Sequence, residues 1–323
     1  MSEKTYRDAI REALREEMLR DERVLIMGEE VGVWGGTYAV TRGFYDEFGD
    51  RRILDTPIAE DAIVGAAVGA AMGGLRPVAE LMTINFSLVA MDQIVNNAAK
   101  VRYMFGGQAR VPLVIRAPAG WGQLAATHSQ SLEAWFAHVP GLLVVMPATP
   151  YDAKGLLKTA IRSDNPVMFI EHARLYGVKG EVPDGEYTLP IGVSDVKRPG
   201  RDITIVSYSR MMHVALGAAS VLAKDGIECE VIDLRTLRPL DMTPVYDSVQ
   251  KTHRALIVEE DWTTCGMGAE IAARIGRDRF DALDVPVERM GQVEAPVPYA
   301  RNLEELMFPD EASVARKVME MVA

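Results

Sequence analysis

The stretch Asp61-Ala62-Ile63-Val64-Gly65-Ala66-Ala67-Val68-Gly69-Ala70-Ala71-Met72-Gly73, followed by Pro77-Val78-Ala79-Glu80-Leu81, decides the fold class. The first run is small and apolar throughout and reads as a helix. It is too short, and too rich in Gly and Ala, to span a bilayer. Glycine weakens a helix by about 1 kcal/mol relative to alanine, so Gly65, Gly69 and Gly73 predict another backbone packed very close to that face. The second run has the length and composition of a buried strand.

The same alternation continues on both sides. Upstream, Ile10, Leu14 and Met18 recur at helical spacing within Thr5 to Arg20, and Val24-Leu25-Ile26-Met27 reads as a buried strand ending at Gly28. Downstream, the pattern predicts helices over Ser87 to Tyr103 and Tyr151 to Arg162, and strands over Val111 to Arg116, Leu142 to Met146 and Val167 to Glu171. Helix–strand alternation of this kind predicts an α/β fold, a mostly parallel sheet with helices on both faces.

Near Ala173 the pattern stops. Gly177, Gly180, Pro183, Gly185, Pro190, Gly192, Pro199 and Gly200 mark a linker or surface excursion. Alternation resumes with strands at 203–207, 228–233 and 255–259 and helices at 211–225, 243–251, 268–275 and 311–322. The expected organisation is therefore a first domain over 1–185, a linker over 186–200 and a second α/β domain over 201–323.

Composition narrows the function. Of 323 residues, 48% are hydrophobic and 25% charged, which are globular values, and the formal net charge of −11 argues against nucleic acid as a partner. Cys229 and Cys265 stand at unrelated positions, so neither a disulfide framework nor a cysteine metal site is implied. The start, Met1-Ser2-Glu3-Lys4-Thr5-Tyr6, carries no targeting signal, and the expectation is a cytoplasmic protein without membrane contact.

Glu60 is a candidate for proton work. It stands at the mouth of the Gly/Ala-rich helix, in Asp55-Thr56-Pro57-Ile58-Ala59-Glu60. A buried, unpaired carboxylate costs several kcal/mol, so such a group holds a proton or has a dedicated partner. The plainer alternative is an exposed acid favoured by the helix dipole. No phosphate loop is present, neither G-x-x-x-x-G-K-[ST] nor G-x-G-x-x-G between a strand and a helix. Gly28-Glu29-Glu30-Val31-Gly32 is glycine-rich, but its two carboxylates would repel a diphosphate.

Asp55 to Glu60, Leu81-Met82-Thr83-Ile84-Asn85-Phe86-Ser87, Asp92-Gln93-Ile94-Val95-Asn96, His128-Ser129-Gln130-Ser131 and Pro140-Gly141-Leu142 occur in an order that resembles the beta subunits of the thiamine-diphosphate-dependent 2-oxo acid dehydrogenases, in their pyruvate branch. The resemblance runs from about Thr5 to about Val322. It implies a transketolase-like pyrimidine-binding domain followed by a transketolase C-terminal-like domain. It also implies decarboxylation of pyruvate with acyl transfer to lipoamide. The Met82 to Phe86 wording favours pyruvate over branched-chain 2-oxo acids, and acetoin is a further alternative. A non-catalytic scaffold subunit is the remote one.

What the resemblance implies for single residues is as follows. Glu60 binds ring nitrogen N1′ of the cofactor's aminopyrimidine and favours its basic imino tautomer. Phe86 stacks on that ring, with Met82 and Asn85 lining the same wall. Glu29 reaches an acidic path shared between active sites. His128, on a loop after Ala117 to Ala126, serves acyl transfer to the lipoyl group, although Trp121-Gly122-Gln123-Leu124 is bulkier than the family's usual loop. The Gly-Asp-Gly segment that holds magnesium and diphosphate is missing, and Gly49-Asp50-Arg51 is the nearest approach. An alpha subunit would therefore hold Mg and the diphosphate, in an α2β2 heterotetramer that serves a dihydrolipoyl acyltransferase core. Relatives also bind K+ through backbone groups, and the matching positions here are Leu113, Ala160, Ile161, Ser163 and Asn165. The C-terminal domain, opened in its second half by Asp233-Leu234-Arg235-Thr236-Leu237-Arg238-Pro239-Leu240, carries no evident catalytic group and reads as a docking domain.

Overall fold

The computed structural model describes residues 1–323. They divide into two compact units, the first comprising Met1–Gly120 with Trp135–Ile191, the second Trp121–Ala134 with Gly192–Ala323.

In the first unit, strands β1 (Ser2–Thr5) and β8 (Lys179–Val182) form a small antiparallel pair. The main sheet contains β2 (Val24–Gly28), β3 (Ile53–Asp55), β4 (Arg76–Glu80), β5 (Val114–Ala119), β6 (Leu143–Val145) and β7 (Val167–His172). These lie in the order β6-β7-β5-β4-β2-β3, and every pairing among them is parallel. One face carries Val24, Ile26, Val78, Val114, Val167 and Phe169 into a core with Ile10, Leu14 and Met18 of the helix Tyr6–Arg20 and Leu156, Leu157 and Ile161 of the helix Pro150–Arg162. Each buried aliphatic of this size contributes about 1.5–3 kcal/mol. Both helices are capped by threonine, Thr5 Oγ1 accepting from the Asp8 amide and Thr149 Oγ1 from the Asp152 amide. The helix Glu60–Met72 packs on β2 and β4 through Ile63, Val64, Ala67 and Val68.

Three expectations change here. The glycine face does not meet a backbone: a side chain at Gly69 would reach open space, and Gly65 has only the Gln93 side chain beside it. Within this chain that face is turned to solvent. Nor is Ser87 to Tyr103 one α-helix. It is a 3-10 turn (Ile84–Leu88), a π-helical turn (Gln93–Ala98) and a short α-helix (Val101–Met104). Asn96 and Asn97 donate to the Asp92 carboxylate, side-chain bonds that compete with regular helix. Finally, the Gly/Pro-rich stretch read as a linker or surface excursion contains strand: β8 before residue 186 and, within 186–200, an edge strand, β9 (Asp195–Arg198).

The second unit has β9 antiparallel to β11 (Cys229–Asp233). Beside them β10 (Ile203–Ser207), β13 (Ala255–Trp262) and β14 (Glu288–Gln292) complete a sheet ordered β14-β13-β10-β11-β9, and β12 (Thr236–Arg238) follows β11 in the chain. Only the β11–β9 pairing is antiparallel. Helices Ser209–Leu222 and Glu311–Val322 pack together, and the latter starts with a capping box between Asp310 and Ser313. No helix is long and apolar enough to cross a membrane.

Candidate active site

A parallel sheet gathers the residues that follow its strands along one edge, where open α/β sheets bind their ligands. In the first unit, adjacent strands β4, β2 and β3 deliver Met82, Asn85 and Phe86, then Glu29, then Glu60, to that edge. Glu60 is the first residue of its helix and only 5% exposed; Glu29 is equally buried. The plainer reading of Glu60, an exposed acid at a helix start, is thereby set aside.

Both carboxyl oxygens of Glu29 lack a hydrogen-bond donor. Burial, then the negative charge of Glu60 and a shared-proton contact with it, push the Glu29 pKa up. The two observations agree on one condition. Two carboxylates hold no donor between them, whereas a proton on either one makes a carboxyl–carboxylate hydrogen bond. Asn85 is buried and its amide donates to Thr83 Oγ1 at 3.1 Å. Met82 and Phe86 are half-buried, so each leaves part of its surface open at the edge.

The loop after β2 is fixed from β3. Asp55 Oδ1 accepts the Gly32 amide at 2.6 Å, and the Thr56 amide donates to Gly28 O at 3.0 Å. Beneath the edge runs a charged belt that the sequence reading did not identify. Arg116 on β5, 1% exposed, donates to Glu80 Oε2 on β4 and to both oxygens of Glu171 on β7, and the Tyr176 hydroxyl also donates to Glu171. Burial opposes the Arg116 charge, but Glu171 and Glu80 outweigh it and hold the guanidinium above its ordinary range. The signal was present: Arg116 and Glu171 each interrupt an apolar strand.

His128 groups with the second unit, in the segment Trp121–Ala134. It is half-buried, and its Nδ1 lies 3.0 Å from Thr127 Oγ1. The second unit also holds a group of buried acids where no catalytic chemistry was expected. Tyr208 Oη lies 3.1 Å from Glu133 Oε1 and 3.2 Å from Glu259 Oε2, and the Gly268 amide donates to Glu259 Oε2 at 2.8 Å. Burial first, with neighbouring acids adding to it, pushes Glu133 well up and Glu259 and Asp261 each to about 7. The run Glu259-Glu260-Asp261 continuing the apolar strand β13 was the readable sign.

Of the backbone carbonyls matched to a cation, those of Leu113, Ala160, Ile161 and Ser163 are engaged. Leu113 O accepts from the Val167 amide, Ala160 O from the Ser163 amide, and Ile161 O and Ser163 O both from Arg76 at 3.0 Å. At Asn165 it is the side-chain Oδ1, not the backbone carbonyl, that accepts from Arg102. Each carbonyl keeps a second lone pair, but a potassium ion would sit beside the fixed charge of Arg76. No group of three or more His, Cys, Asp or Glu could hold a metal ion.

Residues 2–179 match the transketolase pyrimidine-binding domain, and residues 192–314 the transketolase C-terminal domain. The chain is 49% identical over 318 residues to the pyruvate dehydrogenase E1 component subunit beta of Rickettsia felis, covering 98% of each chain. It is also 49% identical over 326 residues to the acetoin:2,6-dichlorophenolindophenol oxidoreductase subunit beta of Cupriavidus necator, covering 97% of this chain and 96% of that one. A solved split-gene transketolase, an inactive beta4 tetramer, superposes with a TM-score of 0.80 at 24% identity over 98% of this chain and 97% of that chain, a likeness of fold. With both transketolase domains matched in order and such identity across nearly its whole length, the chain belongs to the beta subunits of the pyruvate dehydrogenase E1 component, a thiamine-diphosphate-dependent, transketolase-like family.

Proposed function

We propose that this chain contributes the pyrimidine half of a shared thiamine diphosphate site and works only with an alpha subunit, in an α2β2 assembly that decarboxylates pyruvate and passes the acyl group to lipoamide. The observation that carries this reading is the buried Glu29–Glu60 pair at the ligand-binding edge of the first sheet, two carboxyls with no cation between them. The residues fit the aminopyrimidine end of the cofactor. Phe86 offers a half-open aromatic face for the ring, Met82 and Asn85 its wall, and Glu60 a carboxyl for N1′. Nothing in the chain offers a diphosphate cradle, so magnesium and diphosphate fall to the alpha subunit.

When bound, thiamine diphosphate supplies the carbanion chemistry of decarboxylation. Glu60 would hold the aminopyrimidine at N1′ and keep a proton at that atom. Glu29, buried beside it, has its own pKa pushed up by burial and by the Glu60 charge, so a second charge there is costly. His128 serves the later step, orienting or protonating the lipoyl sulfur through its ring nitrogens. A potassium ion on Leu113, Ala160, Ile161, Ser163 and Asn165 rests on the resemblance alone, and no step depends on it. The acidic surface suits a basic peripheral domain of an acyltransferase core, an association that weakens as salt rises.

A second reading, acetoin as substrate, is favoured by the 49% identity to the acetoin oxidoreductase subunit. The test compares turnover of pyruvate, a branched-chain 2-oxo acid and acetoin by the chain reconstituted with its alpha subunit. Preference for pyruvate in kcat/KM is the expected result; preference for acetoin or the branched-chain acid replaces this reading.

A further inference from the structure

The segment Trp121–Ala134 contains backbone in the left-handed and neighbouring rare regions. Gly122 has φ +151°, and the non-glycine residues Gln123 and Ala125 have φ +59° and +62°. Side chains bearing a Cβ rarely adopt this region, and such conformations persist only where the surroundings enforce them. The second unit provides the enforcement at both ends of the segment. At its start, Glu304, 1% exposed at the end of the short helix Arg301–Glu304, points one carboxylate oxygen at two consecutive amides. Oε1 accepts from Gly122 N at 3.1 Å and Gln123 N at 2.8 Å. The adjacent Trp121 ring stacks on Phe308 at 4.6 Å and 6°.

At the far end, Glu133, also 1% exposed, meets the Tyr208 hydroxyl, which reaches Glu259 on its other side. A phenol has one proton for these two carboxyls. One of them must therefore carry a proton of its own for both contacts to be hydrogen bonds. The segment is thus fastened by a carboxylate at its entry and by a phenol between two carboxyls at its exit, with His128 between the fastenings.

We propose that Glu304 and Tyr208 are positioning residues for the His128 loop: they fix its left-handed backbone and thereby the place from which His128 acts in acyl transfer. This rests on the role given to His128 above. Neither residue touches a reacting atom. Glu304 should therefore matter for the lipoyl step and not for decarboxylation, and what it supplies is an acceptor oxygen more than a charge.

The test uses the enzyme assembled with its alpha subunit. Three quantities are read: amide hydrogen exchange over 121–134, pyruvate decarboxylation with a dye as oxidant, and acetylation of a lipoyl domain. Glu304→Met removes the acceptor at similar volume. It is expected to speed exchange and to lower the kcat of acetylation about tenfold or more, as loss of positioning does, with decarboxylation within about twofold. Glu304→Gln, whose amide oxygen can take both N–H groups, should restore exchange and acetylation. Tyr208→Phe should give the same split from the other end, and it carries the test if Glu304→Met does not assemble. Unchanged exchange in these variants overturns the anchoring; faster exchange with unchanged acetylation, or a parallel fall of both half-reactions, overturns the positioning role. His128→Gln tests the underlying reading separately. If that variant acetylates normally, the role of His128 fails while the exchange data still decide whether Glu304 holds the loop.

Discussion

The carboxyl of Glu29 is buried against the carboxyl of Glu60, and neither oxygen of Glu29 has a donor to accept from. Burial first, and then the negative charge of Glu60, push the Glu29 pKa above the ordinary glutamate value. A proton held at that place is what the proposed cofactor chemistry asks of Glu60.

Replacing Glu60 by Gln keeps the shape and removes the exchangeable proton. Decarboxylation by the assembled enzyme should fall by about 100-fold or more, the usual range for a lost proton-transfer group. Sedimentation and thermal melting should show an intact assembly. Retained turnover would contradict the role given to Glu60.

Glu29 has its pKa raised by burial first and by Glu60 second. The folded chain therefore binds a proton more tightly than the unfolded chain does. The stability this lends is fully present below the ordinary pKa of a glutamate and is lost as pH rises through the raised value. Glu29→Gln escapes that loss. It should melt above the wild type at pH 8, with the difference shrinking as pH falls toward the ordinary carboxylate range. A constant difference across that range would mean that Glu29 is not the titrating group.

The second unit should follow the same sign in a defined window. Glu259 and Asp261 are each pushed up to about 7, and Glu133 is well raised. Around them stand Glu260, Glu294, Tyr208 and the opposing Arg289, with the amides of Gly268 and Trp262. Stability should decline as pH rises from the ordinary carboxylate range through about 7. Glu259→Gln should flatten that decline in a series of melting curves.

Arg116 neutralises two buried acids at once. Arg116→Met leaves Glu80 and Glu171 without a counter-charge, and breaking a buried pair in this way costs about 3–5 kcal/mol. Denaturant unfolding measures this as a lower midpoint. A loss under about 1 kcal/mol would place Arg116 among weak surface pairs.

The sequence made the α/β alternation legible because apolar strand runs such as 203–207 and helical spacing such as Ile10-Leu14-Met18 are local signals. It also marked Glu60, since a charge before a Gly/Ala helix is locally conspicuous. Short strands such as Ile53–Asp55 and Glu288–Gln292 were missed, because sheet pairing forms them and their own composition does not. The break of 87–103 into 3-10, π and α turns was hidden because Asp92, Asn96 and Asn97 act through side-chain bonds, not periodicity. The Arg116 belt and the Glu133–Tyr208–Glu259 contacts join residues far apart in the chain, which no reading of neighbours can connect.

The most direct test of the account is decarboxylation of pyruvate with thiamine diphosphate and magnesium, measured for this chain alone and again with its alpha subunit. Activity only in the mixture is the predicted result, since this chain carries Glu60 and lacks a diphosphate cradle. Turnover by the isolated chain, at a rate the alpha subunit does not change, would contradict it.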